Sequence, residues 1–307
     1  MLKGYYIRMI KANLKKKRRT KQRENARKAF IYFALSFFAF IALIPLYYLC
    51  ITAMKDLNEA ATQATMFPHS FALWDNIKFV LTHPDYKIAR MFLNTMFIFA
   101  LKTLGTIITC SLAAYGFAFY KFPGKNVIFF ILLSTMMIPG ELLGIPIYEF
   151  MVNAGLKEVA YIPLWIAAWF GTDIFVIFMF KQFFQTIPKA LIEAARVDGY
   201  GEVAIFFKIV LPLNMPVITT VIILYFVGTY NDLYGPALYI SDKSNWVMAN
   251  SISIFENLYR EGGSSSYIIP WNYVSVASLI SLIPVVLLFS FMQKKFLQSI
   301  AGVGLKG

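Results

Sequence analysis

The stretch EAARVDGYGEVAIFFKIVLPL occupies residues 193–213 and is a compact charged element in an apolar chain of 307 residues. It contains three acidic residues, two basic residues and two glycines, whereas 59% of the whole chain is hydrophobic and 15% is charged. Soluble domains carry about 25% charged residues, so this composition is typical of a protein embedded in lipid. A charged element between long apolar runs is therefore expected outside the lipid, at one face of the membrane.

Six apolar runs are candidates for membrane-spanning helices, each of which needs about 20 mostly apolar residues. The second run contains Lys102, the third is weaker than the others, and the fourth contains Asp173. The fifth begins at Asn214, an N-cap residue type, with Pro216 in its first turn. We therefore expect an all-α integral membrane protein with six transmembrane helices. These spans cover about residues 30–54, 91–120, 126–146, 159–180, 214–232 and 271–293.

The distribution of basic residues predicts how the six spans are oriented. Segments on the side of the N-terminus hold 21 Lys and Arg residues, and those on the other side hold six. The positive-inside rule then places both termini in the cytoplasm, together with the loop 185–213. The tail 1–29 alone holds twelve Lys and Arg residues against one Glu. Such a run could bind nucleic acid or act as a transit peptide, but a cytoplasmic tail attracted to anionic membrane lipid is the simpler interpretation.

The charged stretch predicts two short helices joined at a glycine. Pro188 suits the first turn of a helix that ends before Gly199, and Glu202 begins a second helix that Pro212 ends. On these grounds the element is either an amphipathic linker at the membrane interface or a projection that docks into a cytoplasmic partner. Its acidic residues favour docking, because a helix that faces lipid headgroups prefers Lys and Arg.

The spacing of residues 193–212 resembles the EAA loop of ABC importer permeases, whose pattern is E-A-A-x3-G-x9-I-x-L-P. Every fixed position is filled, and the element lies in the cytoplasmic loop where the family carries it. The residues at these positions are Glu193, Ala194, Ala195, Gly199, Ile209, Leu211 and Pro212.

Features outside the loop are similar to those of carbohydrate-type permeases over nearly the whole chain. They include Asn94, the run 113–116 at the end of the second span, and Asn231-Asp232. The last residues of the C-terminal tail 297–307, at 301–307, are similar to the end of maltose-permease G-type subunits, with Leu305 as a mild departure. Tyr230 is a departure, since tryptophan is usual there. The basic tail 1–29 has no counterpart in the family pattern.

This resemblance implies the fold of a type I ABC importer permease that forms half of a heterodimeric pore in the bacterial inner membrane. The expected partners are a second, non-identical permease of the maltose-permease F type, two copies of a cytoplasmic ATPase and an extracellular solute-binding protein. The expected cargo is a carbohydrate, in particular an oligosaccharide. ATP and Mg²⁺ belong to the ATPase, because this chain has no G-x-x-x-x-G-K-[ST] motif; we expect no cofactor, no metal and no enzymatic activity in the chain itself.

The resemblance also assigns roles to individual residues. Coupling to the ATPase is expected at Glu193, Ala194, Ala195, Arg196, Asp198, Gly199, Phe206, Leu211 and Pro212. A second ATPase contact is expected at Gly302, Gly304 and Lys306 in the C-terminal tail, and a contact with the binding protein at Glu256, Arg260 and Gly262.

Two charges within the spans are independent candidates for function. Lys102 and Asp173 lie at similar depth in the second and fourth spans, and a charge in a membrane needs a polar partner. We hypothesise that they pair; with Asn231 they are candidates for the translocation path or for holding helices together.

Three alternatives remain at this point. An importer of another solute such as glycerol phosphate would share the same motifs. A secondary carrier would show paired half-repeats and several carboxylates at the membrane midplane, and only Asp173 fits that description. A structural membrane subunit without transport activity is the third.

Overall fold

The computed structural model describes residues 2–62, 64–157, 159, 161–256 and 269–304, and in this part of the chain all regular structure is helical. The helices are α1 (Leu2–Met54), α2 (Leu57–Thr62), α3 (Leu73–Thr82), α4 (Ile88–Phe119), α5 (Lys125–Thr135), α6 (Gly144–Asn153), α7 (Ile162–Trp165), α8 (Ile174–Phe184), α9 (Lys189–Val197), α10 (Glu202–Leu213), α11 (Met215–Tyr230), α12 (Tyr234–Tyr239), α13 (Ser251–Glu256) and α14 (Trp271–Gly304).

Four helical segments of the described chain are long and apolar enough to cross a membrane. They are Arg23–Met54 in α1, the whole of α4, Ile162–Phe184 with α7 and α8, and Trp271–Phe291 in α14. A fifth results if α10 and α11, which meet at an angle of 76°, count as one bent span. The sequence suggested a tail, residues 1–29, that is separate from the first span. In the structure, α1 continues from the tail into the span without a break.

Two clusters of buried side chains lie at opposite ends of the helices. The first, at what we call the α9 end, joins the C-terminal halves of α4 and α8 to α9, α10 and the start of α11, around Phe180, Phe184 and Phe206. The second, at what we call the loop end, joins the end of α1, α3, α13 and the start of α14, around Val80 and Phe255. Each cluster buries apolar side chains from several helices against one another and so holds these helices together.

Helices α4 and α8 run in the same direction. Thr109 in the middle of α4 donates a hydrogen bond to the Ala168 carbonyl 3.0 Å away, and Phe119 at the end of α4 stacks on Phe184 at the end of α8. The chain leaves α4 at the α9 end, and it has to start the parallel segment that contains α8 from the loop end. The residues between α4 and that segment therefore carry the chain back to the loop end.

The segment that makes this return differs from the predicted third span. A single helix over 126–146 is not formed: α5 ends at Thr135, a turn and a short 3₁₀ segment follow, and α6 begins at Gly144. Pro139 and Gly140 account for the break, because proline lacks the donor that a continuing helix needs. With 11 residues, α5 is only about 16 Å long, too short to cross the lipid alone.

The long segment after α1 is folded at the loop end. The buried carboxylate of Glu59 accepts hydrogen bonds from the backbone N–H groups of His69 and Ser70, at 2.9 Å and 2.8 Å. The amide of Asn76 donates to the carbonyls of Ala53 and Lys55 at 2.9 Å and 2.8 Å. These bonds hold α2 and α3 against the end of α1, so the segment forms an ordered cap.

Candidate functional site

Helix α9 is held on the protein by one face. Ile192 and Ala195 are three residues apart and are both buried in the cluster at the α9 end, whereas Glu193 and Ala194 are exposed. This spacing gives an apolar face towards the core and a polar face towards solvent. Of the two alanines expected at a partner surface, only Ala194 is therefore accessible; the side chain of Ala195 supports the helix from beneath.

The turn after α9 is a Schellman motif. The N–H of Gly199 donates to the carbonyl of Arg196 at 3.1 Å, and the N–H of Tyr200 donates to the carbonyl of Ala195 at 3.0 Å. Gly199 adopts φ +85°, a left-handed conformation that favours glycine. The sequence predicted this position correctly, because a helix stop of this kind depends on local residues alone.

Glu202 joins three helices at the α9 end. Its Oε1 accepts a hydrogen bond from Arg196 Nε on α9 at 2.7 Å, and its Oε2 accepts one from Tyr115 Oη on α4 at 2.6 Å. These two bonds, the arginine first, lower the pKa of Glu202 from 4.5 to about 2. The guanidinium of Arg196, which was expected to flank a docking surface, is thus engaged within this chain. Sequence analysis assigned Glu202 only as a helix start.

Helix α10 contains a π-helical turn over Phe206–Val210, which the sequence did not predict. The wider turn places Phe206 and Val210 in the core and leaves Phe207 52% exposed. Leu211 is half-buried and Pro212 is exposed beside it.

A sharp bend follows at Asn214, the residue expected to cap α11. Its side chain forms no cap; instead its Nδ2 donates to the carbonyl of Val210 at 2.7 Å and ties the two helices together.

An exposed apolar patch surrounds the Gly199 turn. Val197, Tyr200 and Val203 are 87%, 44% and 72% exposed, and we call these three residues the turn patch. The exposed acids Glu193 and Asp198 lie beside it in the sequence. The sequence contained a signal for the patch: with Ile192 and Ala195 facing the core, Val197 falls on the opposite side of the helix.

The predicted fourth span is interrupted by a short break that ends at Asp173. Gly171 adopts φ +64° after the 3₁₀ segment Ile166–Phe170, and Asp173 caps α8 by accepting the N–H of Val176 at 3.1 Å. The second oxygen of Asp173 accepts a hydrogen bond from Tyr225 Oη on α11 at 2.6 Å. Sequence analysis missed this break, although a glycine followed two residues later by an aspartate is a common helix stop and start.

Lys102 does not form the predicted ion pair with Asp173. Among the described residues the ion pairs within 4.0 Å are Arg196–Glu202 and Lys243–Asp85. Both oxygens of Asp173 already accept hydrogen bonds, from the α8 backbone and from Tyr225. The side chains of Lys102 and Asp173 nevertheless line one cavity of about 360 Å³.

The remaining predicted site residues lie elsewhere. Asn231 is exposed at the C-terminal end of α11, and the half-buried Glu256 ends α13. Gly302 and Gly304 belong to the last turns of α14. Lys306, Arg260 and Gly262 lie outside the described residues.

Comparison with known proteins shows what kind of chain carries these features. Residues 105–302 match the family described as binding-protein-dependent transport system inner membrane component. The chain is 30% identical over 268 residues to the sn-glycerol-3-phosphate transport system permease protein of Yersinia pestis bv. Antiqua, covering 85% of this chain and 91% of that one. It is also 30% identical over 272 residues to the melibiose/raffinose/stachyose import permease protein of Bacillus subtilis, covering 86% and 91%.

A third relative and a solved structure agree with this match. The arabinooligosaccharides transport system permease protein of Halalkalibacterium halodurans is 28% identical over 277 residues, covering 89% of this chain and 94% of that one. The fold resembles a chain in the crystal structure of a bacterial ABC transporter involved in the import of the acidic polysaccharide alginate, with a TM-score of 0.69 and 20% identity over 86% and 94% of the two chains.

The match to the family spans more than half of the chain, and the relatives are covered over nearly their whole length. The interpretations as a secondary carrier and as a structural subunit are thereby set aside. Members of the family are multi-pass membrane subunits that transport solutes together with a partner permease, an ATPase and a binding protein; they are not enzymes. The chain belongs to the family of binding-protein-dependent transport system inner membrane components and is a permease subunit of an ABC importer.

Proposed function

We propose that this chain is the G-type half of a heterodimeric sugar importer in a bacterial inner membrane, and that α9 and α10 couple it to the ATPase. The partner permease is of the maltose-permease F type, and two copies of the ATPase carry ATP and Mg²⁺. The chain crosses the membrane six times with both termini and the α9 end in the cytoplasm.

The turn patch is the observation that carries the coupling proposal. Three apolar side chains project from a turn that is otherwise polar, and exposed apolar groups of this kind mark contact sites for another protein or for lipid. The exposed carboxylates of Glu193 and Asp198 argue against a lipid headgroup surface, which is commonly anionic. A cleft in a partner protein, with an apolar floor and a basic residue, would match both the turn patch and the two carboxylates.

The bonds of Glu202 explain how movement of α9 would reach the pore. The carboxylate holds α9 through Arg196 and α4 through Tyr115, and the buried side chains of Ile192 and Phe206 fill the space between the helices. The element is thus fixed to a membrane-spanning helix at its base and free at the turn patch. A displacement of the turn by the ATPase is passed to α4 as a rigid-body shift.

The turn patch can be tested with a substitution that alters its surface without altering the core. We expect Val197→Asp to abolish co-purification of the ATPase and solute-stimulated ATP hydrolysis in the assembled importer, because it places a charge in an apolar contact. Thr186→Asp, an exposed position before α9, is the matched control and leaves both intact. Retention of the ATPase and of coupled hydrolysis by Val197→Asp would refute the coupling role.

The polar cavities favour a neutral sugar over glycerol phosphate as the solute. Lys102 lines two neighbouring cavities, one together with Asp173 and the other together with Asp232. The two cavities therefore contain two carboxylates and a single ammonium group. Such a lining repels a phosphate dianion, whereas sugar hydroxyls donate hydrogen bonds to carboxylates.

Uptake by the assembled importer separates the two solute classes. Raffinose, an arabinooligosaccharide and sn-glycerol 3-phosphate are suitable probes, because relatives of the chain are named for the import of such solutes. We expect uptake of a neutral oligosaccharide and no uptake of the phosphate ester. ATP-dependent uptake of glycerol 3-phosphate alone would overturn the sugar assignment and leave the coupling proposal standing.

A further inference from the structure

Three cavities follow one another from the loop end towards the middle of the protein. The outer cavity, of about 560 Å³, is lined by Lys157, Asp242, Leu164 and Tyr239 among others. A middle cavity of about 250 Å³ shares Leu164 and Tyr239 with it. The inner cavity, of about 360 Å³, shares Lys102 and Tyr225 with the middle one. Because neighbouring cavities have wall residues in common, they form one track along this face of the chain.

The inner end of the track holds a polar group that has no partner. Thr229 is 6% exposed and lines the inner cavity, yet its hydroxyl forms no hydrogen bond. Buried hydroxyls in proteins are nearly always hydrogen-bonded, so one without a partner in the protein beside a cavity is a candidate for contact with water or a solute there. A threonine Oγ both donates and accepts, which suits water or a solute hydroxyl.

The carboxylate of Asp173 has further capacity to accept hydrogen bonds. Each of its oxygens accepts one bond, from Val176 N–H or from Tyr225 Oη, whereas a carboxylate provides about four acceptor positions. The break in the fourth span holds this carboxylate in the cavity wall. Non-helical backbone is tolerated at membrane depth where it lines such a cavity.

The wall of the track combines polar and aromatic groups. Tyr225 and Tyr239 present rings, and Lys102, Asp173 and Asp232 present donors and acceptors of hydrogen bonds. One ammonium and two carboxylate groups give the middle and inner cavities a net negative charge. A solute with many hydroxyls and no negative charge matches this lining, since its hydroxyls satisfy the carboxylates and its apolar faces stack on the rings.

We propose that this track is the part of the solute pathway carried by this chain, and that Thr229, Asp173 and Lys102 form a contact site for neutral polyhydroxylated solutes at its inner end. The inference rests on the proposed importer function and adds to it the position of a solute contact site and the residues that form it. It assigns solute contact to this subunit itself and leaves the contribution of the partner permease open.

Thiol accessibility in the assembled importer tests the track without knowledge of the solute. Thr229→Cys places a thiol at the inner cavity. Val221→Cys on the same helix is the control, because Val221 is fully buried in the cluster at the α9 end and lines none of the three cavities. The probes are the trimethylammonium-ethyl and sulfonato-ethyl methanethiosulfonates, which are similar in size and opposite in charge. The unsubstituted chain with Cys50 and Cys110 sets the baseline.

We expect the thiol at position 229 to react and the buried thiol at 221 to stay at the baseline, because only a hydrated thiol ionises. With each rate divided by the rate of the same reagent with a free thiol in solution, the cationic reagent reacts about tenfold faster than the anionic one, since a lining of one sign concentrates the opposite charge. Asp232→Asn in the Thr229→Cys chain reduces this ratio. An unreactive thiol at 229, or equal rates for the two reagents, would overturn the proposal. Neither result depends on ATPase coupling, which the Val197→Asp experiment tests separately.

Discussion

Gly199 determines the shape of the turn between α9 and α10 through its backbone alone. A Cβ at this position would meet nothing within 4 Å, so the cost of a larger residue comes from its φ of +85°. We expect Gly199→Ala to destabilise the protein by about 1–2 kcal/mol. Gly201→Ala is the control, since Gly201 also has open space around it but a φ of −70° that alanine accepts. Thermal unfolding of the two variants in detergent measures the difference; equal stabilities would show that the turn is not strained.

The stability of the fold should depend on pH through the carboxylate of Glu202. Its pKa is lowered from 4.5 in the unfolded chain to about 2 in the folded protein, so the carboxylate stabilises the fold fully above pH 4.5. That contribution is lost as the pH falls from 4.5 towards 2, because the proton then competes with Arg196 and Tyr115.

We expect the wild type to have a higher free energy of unfolding than Glu202→Gln. This difference, the stability gap, is constant from pH 7 to 5 and narrows below 4.5. The gap is about 1 kcal/mol or less, because both side chains of the pair are 41% exposed. Melting temperatures recorded across this range measure it. Arg196→Gln is the companion variant and should reduce the same dependence. A gap that widens on acidification would mean that another group holds α9 to α4.

Residue-scale predictions from the sequence succeeded where the cause was local. The stop at Gly199 depends on a few neighbouring residues, and its position was predicted correctly. The inward direction of Ala195 and the hydrogen bond from Tyr115 to Glu202 depend on α4, which lies about 80 residues earlier in the chain. A single sequence does not reveal which surface a short helix packs against, so these assignments were incomplete.

At the scale of elements, the crossing of α4 with the fourth span is tightest at Gly105. A Cβ on this residue would lie 2.7 Å from Cδ1 of Trp169, closer than van der Waals contact permits. We expect Gly105→Ala to cost about 1–3 kcal/mol by overpacking. The control is Gly116→Ala on the same helix, where a Cβ meets nothing within 4 Å and should stabilise the helix by about 0.5–1 kcal/mol. If Gly105→Ala is as stable as the wild type, the indole of Trp169 moves aside to make room for the added methyl group.

The apolar runs predicted the positions of the membrane-embedded segments better than they predicted whether each segment is a single helix. α4 is a single helix near its predicted limits. α14 begins at its predicted residue, continues through Pro284 without a break and extends to Gly304, beyond the predicted end. The third and fourth runs are interrupted at Pro139-Gly140 and at Gly171–Asp173. Hydropathy averages over such residues, whereas backbone conformation depends on each one. The second interruption is also the one that places Asp173 in a cavity wall, so the missed break belongs to the solute contact site proposed above.

At the scale of the whole molecule, the number of crossings decides the orientation of the termini. By length and composition the described part of the chain has four spans, or five with the bent pair α10–α11. The parallel course of α4 and α8 requires one more crossing, made by α5 and α6 together. We therefore predict six crossings.

Labelling of single cysteines with a membrane-impermeant maleimide on intact cells tests this topology. Exposed positions at the loop end should be labelled from outside, and exposed positions at the α9 end should be labelled only in inverted vesicles. The first set is Asn58→Cys, Asn153→Cys and Lys243→Cys, and the second is Lys121→Cys and Thr186→Cys. Asn153 is decisive, because it follows the broken segment α5–α6. If it labels like Lys121, the chain crosses five times and the termini lie on opposite sides. The segments now assigned to the cytoplasm would then be divided between both sides, which the ratio of 21 to six basic residues opposes.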